Sequence, residues 1–524
     1  MKQLIFPSTF FFAGAAAMLA GCWSYIPSVG PEYERVELDL PAVDFGDIGY
    51  QPDDTNYVDT VALSPEGIGK WWERLGDRRL DDLMEAAVTN SLNYKMALNR
   101  HEQAHWTYLS TWSAYCPNPT VQASWYYNEL RANNVSLVNS RTASWLYDSY
   151  TAGIGGSWQI DIFGGSRRAS EAGWALYEAE WETVRGTWLK LTTEVAGAYV
   201  SLKTTREVVA TLEAELAAER RLYESMKKRG ESDKREYALR KLETLIAESE
   251  AHLKSERGRA VALANAIAVL LGETPGENRE RTASVRQQDS TAAASAASVQ
   301  RQDSTAAASA ASVQRQAGAE SCCSTLAVAP VTLAAIPLET MRTRPDVLKA
   351  DRELAEKIAR VGVAKALWYP KLYLVGSVGV QSTKEYSLFM ADSLMSSVGP
   401  SVEWPIFHFC RIISQTKLYE TRVREAAMNY EQTLKRAYGE VRTGYAAYVR
   451  DYGRLADAKK AAASSAAAFA IAEKLEAQGD IDFDALLGSL AAKNRLAVED
   501  IRARGRVALS YIDLCKALGG GLCR

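Results

Sequence analysis

Residues 158–165 read WQIDIFGG and residues 402–409 read VEWPIFHF. The Ile-Phe pair at 162–163 therefore recurs at 406–407, each time after a short stretch of aromatic and small residues and before a long run without proline. A change from alternating residues to helix-forming composition indicates a strand that leads into a helix. A chain that makes this transition twice is a candidate for internal duplication.

Further landmarks recur about 250 residues apart, which supports a duplicated unit. The repeated pairs are Pro117 with Pro370, Tyr199 with Tyr445, and Leu271 with Leu518. We predict a first repeat over 85–276 and a second over 338–524, each made of a helix, a β-hairpin and a long helical hairpin. Between them lies a low-complexity linker over 277–337, in which DSTAAASAASVQRQ begins at Asp289 and again at Asp303.

Alternating residues predict the strands. In LYLVGSVGVQ at 372–381, one side of the strand carries only Leu, Gly and Val, and the other carries Tyr373, Val375, Ser377, Gly379 and Gln381. The stretch VQASWYY at 121–127 starts the matching hairpin of the first repeat. Strands of roughly ten residues can cross a bilayer when tilted. Four strands cannot close a membrane barrel, because the smallest have about eight and open edges cannot face lipid. Spanning strands would therefore require several chains to share one barrel, and three chains would give twelve strands.

Long helices are predicted after each Ile-Phe pair. Residues 166–228 lack proline and have a helix-rich composition. Over 239–270, mostly apolar residues recur at alternating steps of three and four, which predicts a coiled-coil seam. Gly230 and Gly479 each interrupt a helical run near its middle, and we interpret them as the tips of antiparallel helical hairpins.

The N-terminus is predicted to be a signal peptide over 1–21. It ends in LAG and is followed by Cys22; together these four residues resemble a bacterial lipobox, which implies cleavage before Cys22 and acylation of that residue. Trp23, rather than Asp, follows the cysteine and favours the outer membrane. We assign 22–84 as a lipidated N-terminal and equatorial segment.

Composition argues against several functional classes. The net charge of −3 gives no basic excess for nucleic acid, and no catalytic constellation or phosphate loop stands out. We therefore expect no enzyme activity, cofactor or metal. The motif HEQAH at 101–105 has two interpretations. It matches a zinc-protease pattern, with His101 and His105 as ligands and Glu102 as base. The alternative is an ordinary helix that leads to the first hairpin, which we favour.

Six motifs in order resemble the outer-membrane efflux proteins (TolC-like), in their lipoprotein NodT-type branch. They include VGPEYER at 29–35, WWERLGDRRLDDL at 71–83, WQIDIFGGSRR at 158–168, TRPDVLKADRELAEKIARVGVAKALWYP at 343–370 and KALGGG at 516–521. The resemblance implies an α+β membrane protein. Three chains would form a 12-stranded outer-membrane β-barrel, with four strands from each, continued by a long periplasmic α-helical barrel.

The resemblance also implies a function and partners. The homotrimer would be the passive exit channel of a tripartite efflux system. It would carry small toxic compounds and work with a periplasmic adaptor and an inner-membrane transporter of the resistance-nodulation-division type. Two alternatives stay open: a duct for type I protein secretion, and an envelope-spanning structural lipoprotein that conducts nothing.

The predicted tips of the helical hairpins contain the candidate site residues. The family usually has an aspartate where this chain has Gly488, so we consider Asp480, Asp482 and Asp484 for the periplasmic aperture, against the alternative of a solvated helix start. The candidate adaptor contacts, which could equally be plain turn residues, are Arg229, Gly230, Glu231, Gln478 and Gly479.

Overall fold

The structure is a computed structural model that describes residues 28–35, 59–60, 71–130, 145–227, 233–275, 331–332, 341–478 and 480–520. No helix in these ranges combines the length and the hydropathy that a membrane crossing requires. The chain divides into two compact units. Unit 1 comprises Met1–Leu38, Arg100–Trp181 and Lys349–Glu431, and unit 2 comprises Asp39–Asn99, Glu182–Leu348 and Gln432–Arg524.

The elements occur in the predicted order. The described strands are β1 (Asp59–Thr60), β2 (Asn118–Leu130), β3 (Trp145–Ile160), β4 (Val331–Thr332), β5 (Lys371–Ser382) and β6 (Leu394–Glu403). The described α-helices are α1 (Arg78–Asn90), α2 (Leu92–Trp112), α3 (Gly165–Lys227), α4 (Asp233–Leu270), α5 (Pro345–Ala366), α6 (Phe409–Gln478) and α7 (Phe483–Ala517).

Unit 1 contains a four-stranded antiparallel sheet in the order β2-β3-β5-β6. Both predicted hairpins are present, and β3 of the first pairs with β5 of the second, from Tyr150 opposite Ser382 to Ile160 opposite Leu372. The strands have 13, 16, 12 and 10 residues, so three are longer than the roughly ten residues that we predicted. The missed residues are polar strand ends such as Asn128 and Glu129, which alternation of apolar residues does not reveal.

The long helices are also present. Helix α3 has 63 residues and begins and ends one residue before the predicted range of 166–228. Helix α6 has 70 residues. Arg229, Gly230 and Glu231, together with Gly479, lie outside the described residues.

The predicted seam on α4 faces inward, since none of its ten positions from Leu239 to Leu270 is exposed. Its two polar members have partners: Ser249 Oγ lies 3.2 Å from Glu219 Oε1, and Glu256 Oε1 accepts a hydrogen bond of 2.7 Å from Arg502. The neighbouring core of unit 2 is apolar and contains Val208, Leu212, Leu216, Leu253, Val498 and Ile501.

The predicted linker differs from expectation at its C-terminal end. Val331–Thr332 forms strand β4, which pairs in parallel with β1 at Asp59–Thr60 in unit 2. Composition gave no indication of this, because a two-residue strand has no periodicity to detect. The duplicated 14-residue segments and Cys22 lie outside the described residues.

Candidate functional site

The sheet of unit 1 has one apolar face. Strand register places Val121, Ile154 and Val378 in one row across three strands. These side chains are 83%, 59% and 58% exposed in a single chain. Several other exposed apolar side chains share the face, which we call the apolar face: Trp125, Tyr127, Leu146, Leu394, Val398 and Val402. Apolar side chains at this density on an open surface indicate contact with lipid or another apolar partner.

The opposite face, which we call the polar face, carries mainly hydroxyls, amides and glycines, with Val375 and Met395 as exposed apolar exceptions. The next row along the strands is Thr120, Gly155, Ser377 and Ser397. The hydroxyls of Ser377 and Ser397 lie 2.8 Å apart, and Gln381 Nε2 lies 3.4 Å from Ser149 Oγ. A sheet with one apolar and one hydrated face is the pattern of a strand wall between lipid and water.

Two glycines bring strands β3 and β5 close together on the polar face. Gly153 lies directly opposite Gly379. A Cβ atom on Gly153 would lie 2.8 Å from both the Gly379 Cα and the Val378 carbonyl oxygen, and a Cβ on Gly379 would lie 2.7 Å from the Ala152 oxygen. Neither position can therefore hold a side chain without movement of the backbone.

Both edges of the sheet are open in a single chain. Among the described strands, β2 pairs with β3 alone and β6 with β5 alone. The outer side of each edge strand thus presents backbone N–H and C=O groups with no strand beside them. This arrangement is tolerable in water but not in a bilayer core, where each such group would need a partner.

Tryptophans lie at the end of the strands nearest the helices and further along β2. At the end nearest the helices, Trp158 Nε1 donates a 2.7 Å hydrogen bond to the Tyr115 carbonyl and Trp404 Nε1 a 3.2 Å bond to the Trp368 carbonyl. Further along β2, Trp125 Nε1 donates a 2.9 Å bond to Asp148 Oδ1. Indoles with an apolar ring and a bonded N–H suit the two interfaces of a membrane.

The segment 28–35 docks in unit 1 close to the end of β3, a contact that sequence reasoning missed. Val29 N donates a 3.2 Å hydrogen bond to the Phe163 oxygen, and a Cβ on Gly164 would lie 2.6 Å from Ser28 Cβ. Tyr33 donates to Asp351, whose carboxylate is buried. The only signal in the sequence was the VGPEYER motif itself, which does not indicate where it binds.

The three candidate aspartates lie at the start of α7 in unit 2, and all are exposed. Asp482 is the N-cap residue, but its side chain makes no capping bond. Asp484 accepts a hydrogen bond from Lys241 of α4, and that bond raises the pKa of the lysine. Asp480 and Asp482 therefore keep carboxylates that face solvent, whereas Asp484 has a cationic partner. Gln478, the last residue of α6, is exposed as well.

Comparison with known proteins establishes the family. The sequence profile of the outer membrane efflux proteins matches residues 83–257 and 337–520. The chain belongs to the outer membrane efflux protein family. Membership places the chain in the outer membrane and in efflux transport.

Curated members of the family are similar along most of their length. The chain is 24% identical to the probable outer membrane lipoprotein SilC of Salmonella typhimurium, over 81% of this chain and 79% of SilC. It is 25% identical to the outer membrane protein OprJ of Pseudomonas aeruginosa, over 97% and 96% of the two chains. It is 23% identical to the cation efflux system protein CusC of Escherichia coli K12, over 97% and 98%.

Solved structures of outer-membrane channels share the fold. The channel CmeC of Campylobacter jejuni matches with a TM-score of 0.75 and 19% identity, over 95% of each chain. The channel OprN matches with a TM-score of 0.74 and 21% identity, over 94% of this chain and 99% of OprN. The order of strands and helices in this efflux protein is therefore that of known channels.

The HEQAH motif lies on α2, the helix that leads to the first hairpin. The His101 ring stacks on Tyr177 with centroids 4.4 Å apart, and the His105 ring lies 5.4 Å from the same tyrosine ring. Across the described residues, no three His, Cys, Asp or Glu side chains come together to hold a metal ion. The two imidazoles in this efflux protein pack against aromatic rings.

Proposed function

We propose that this protein is the passive outer-membrane exit channel of a tripartite efflux system, carrying small toxic compounds delivered by an inner-membrane pump. One observation carries the proposal: a two-faced sheet of four bilayer-length strands with two open edges. Such a sheet is incomplete as a membrane structure, because its edges must be paired before the apolar face can enter lipid. Pairing β2 of one copy with β6 of the next completes it.

Three copies give a closed barrel of twelve strands. The apolar face would then contact lipid, and the polar face would line a water-filled lumen. In such a trimer the long helices form the periplasmic barrel that meets the adaptor. Substrate transport across it needs no catalytic site or cofactor in this chain, so the partner pump supplies the energy.

The docked segment 28–35 supports lipidation at Cys22. Ser28 lies against Gly164, just after the end of β3. Five residues separate it from Cys22, so the six steps of chain between the two residues span at most about 21 Å when fully extended. An acyl chain on Cys22 can therefore reach the membrane interface at the helix-proximal end of the strands. Mass spectrometry of the mature protein tests this, with Cys22→Ala as the unlipidated control.

Conductance across a planar bilayer tests the channel itself. The purified mature protein should produce discrete ohmic currents. A protein that inserts and gives no current would instead be the structural lipoprotein. A deletion strain separates the two kinds of cargo: loss of resistance to small toxic compounds supports efflux, whereas unchanged resistance with loss of secreted proteins supports type I secretion.

We propose that Asp480 or Asp482 lines the periplasmic aperture. Both are exposed in one chain, and Lys241 bonds to Asp484 instead. In a trimer, three copies of one such aspartate would favour cations. Asp480→Asn and Asp482→Asn should lower the cation preference of the channel, with Asp484→Asn as the matched variant of a paired carboxylate. Equal selectivity in all three variants would reject this assignment.

The adaptor contacts are assigned to the hairpin tips, at Arg229, Gly230, Glu231, Gln478 and Gly479. Exposure of Gln478 at the end of α6 is consistent with this. Single-cysteine variants at positions 229 and 478 should form cross-links with the adaptor in cells. Cross-links equally strong at the exposed position Glu224, which we take as a control on the flank of α3, would argue against tip-specific contact.

A further inference from the structure

Helix α3 buries a pair of carboxylates one turn apart, away from the candidate aperture residues. Glu219 is fully buried and Glu215 is partly buried. They alternate along the same helix with the apolar core residues Leu212 and Leu216. Glutamate is rarely buried without a cationic partner, because an ionised carboxylate loses its hydration there.

Among the described residues, the groups that contact the Glu219 carboxyl are the neutral side chains of Asn494 and Ser249. Glu219 Oε1 accepts a 3.0 Å hydrogen bond from Asn494 Nδ2 of α7 and lies 3.2 Å from Ser249 Oγ of α4. Its Oε2 is buried and has no hydrogen-bond partner within the described part of the chain. A carboxylate oxygen in this position is unsatisfied when ionised, whereas a proton on the carboxyl removes the buried charge.

Charged groups on the packed helices act mainly on Glu215. Lys493 of α7 attracts the Glu215 carboxylate, and the lysine Nζ lies 4.6 Å from the Phe469 ring centroid of α6. Helix α4 faces the pair with the neutral Ser249. Burial, followed by the charge of Glu219, raises the pKa of Glu215 to about 7. Burial also raises the pKa of Glu219.

We propose that Glu215 and Glu219 are a proton-binding pair that holds α3 against α4 and α7 when protonated. Below about pH 7 the pair retains a proton, so that a neutral carboxyl replaces one of two adjacent negative charges. Raising the pH removes this proton, leaving both carboxylates charged and the buried oxygen unpaired. The contact between the three helices then weakens. This proposal goes beyond channel function and does not depend on it, because protonation can be measured whether or not the protein conducts.

The direction of the pH effect follows from linkage. A carboxyl whose pKa is raised in the folded state binds more protons there than in the unfolded state. Folding stability therefore falls as pH rises from the ordinary carboxyl range through the raised value near 7. Salt-bridged carboxylates with lowered pKa, such as Glu250 beside Arg220, act in the opposite direction, and their effect is complete well below neutral pH.

The test uses the full mature protein in lipid nanodiscs. Infrared spectra between about pH 5.5 and pH 8.5 should show the carbonyl band of a protonated carboxylic acid that persists at neutral pH and disappears at the alkaline end. Glu215→Gln should remove most of that titrating band, whereas Glu219→Gln should shift its midpoint to lower pH, because the negative charge that helps to raise the pKa of Glu215 is then absent. Glu224→Gln, an exposed carboxylate on the same helix, should leave it unchanged.

Thermal unfolding gives a second readout. The wild-type midpoint should fall by about 2–4 °C over this pH range, while Glu219→Gln and Glu215→Gln should each lose at least half of that dependence. Absence of a protonated carboxyl above about pH 6 in the wild type would overturn the proposal. The proposal would also be overturned if the unfolding midpoints of both variants depended on pH as strongly as that of the wild type. If Glu219→Gln does not fold, the wild-type infrared titration and the Glu215→Gln variant still test the proposal.

Discussion

The two Ile-Phe turns look alike in sequence but differ in the structure. In the first, which we call the inner turn (residues 161–165), Phe163 stacks on Tyr369 with ring centroids 4.5 Å apart. In the second, the outer turn (residues 405–409), Phe407 is 91% exposed. The inner turn follows β3, whose neighbour β5 belongs to the same chain, whereas the outer turn follows the edge strand β6.

The two turns show which junction is formed within one chain and which junction lacks a neighbouring strand. Pro117 matches Pro370, so Cys116 matches Tyr369 in the duplicated pattern. Cys116 is exposed in front of the edge strand β2. The chain thus presents Phe407 at one open edge and Cys116 at the other. In the proposed trimer, the junction between copies repeats the internal one, with Phe407 of one copy close to Cys116 of the next.

The largest expected effect comes from a side chain at the inner junction. Gly153→Ala would place a Cβ 2.8 Å from the backbone of β5, whereas Gly155→Ala, on the same strand and face, would place it 3.6 Å from the nearest atom. We expect the first to destabilise the protein by about 2 kcal/mol and the second by less than about 0.5 kcal/mol. Thermal unfolding of both variants in nanodiscs measures this. Equal unfolding midpoints for the two variants would show that the close approach of β3 and β5 does not limit stability.

A second pair of variants separates folding from assembly. Phe163→Ala removes a stacked, half-buried ring and should cost about 1–2 kcal/mol of folding stability. Phe407→Ala removes a ring that contacts little within one chain, so it should leave subunit folding intact and promote dissociation of the oligomer. Unfolding curves together with native mass spectra distinguish the two effects. Loss of folding stability in both variants, with oligomers unchanged, would contradict the proposed difference between the turns.

The turns also differ in how the following helix begins. Asp161 is 4% exposed and its Oδ2 accepts a 2.9 Å hydrogen bond from Arg167 N in the first turn of α3, whereas Pro405 takes the matching place in the outer turn. Asp161→Ala should therefore cost about 1 kcal/mol. Pro405→Ala removes no such bond and serves as the matched control. Chemical denaturation measures both, and a smaller loss for Asp161→Ala than for its control would refute the capping role.

The smallest effect is expected for the segment that covers the inner turn. Tyr33→Phe removes the hydrogen bond to the buried Asp351 and should cost about 0.5–1 kcal/mol. It should also increase proteolysis within residues 28–35. Limited proteolysis followed by mass spectrometry reads this directly, with Tyr386→Phe, an exposed tyrosine in unit 1, as the control. Unchanged cleavage would mean that this bond does not hold the segment in place.

Much of the architecture could be predicted from local patterns. Period-two alternation predicted both hairpins, and the helix-rich run between the first Ile-Phe pair and Gly230 predicted α3 to within one residue at each end. Contacts distant in sequence could not be predicted in this way. The polar Ser249 within an apolar seam signalled an irregularity, but its partner Glu219 lies on another helix, and the relative register of two helices is not encoded in either one. The docking of Tyr33 on Asp351 was missed for the same reason.

The number of subunits in the membrane tests the central claim most directly. We predict that native mass spectrometry of the mature protein in nanodiscs gives a mass of three copies. Cross-links between single cysteines on β2 and β6 should then form between copies and not within one. A stable single copy in the bilayer, with both edge strands unpaired, would contradict this account.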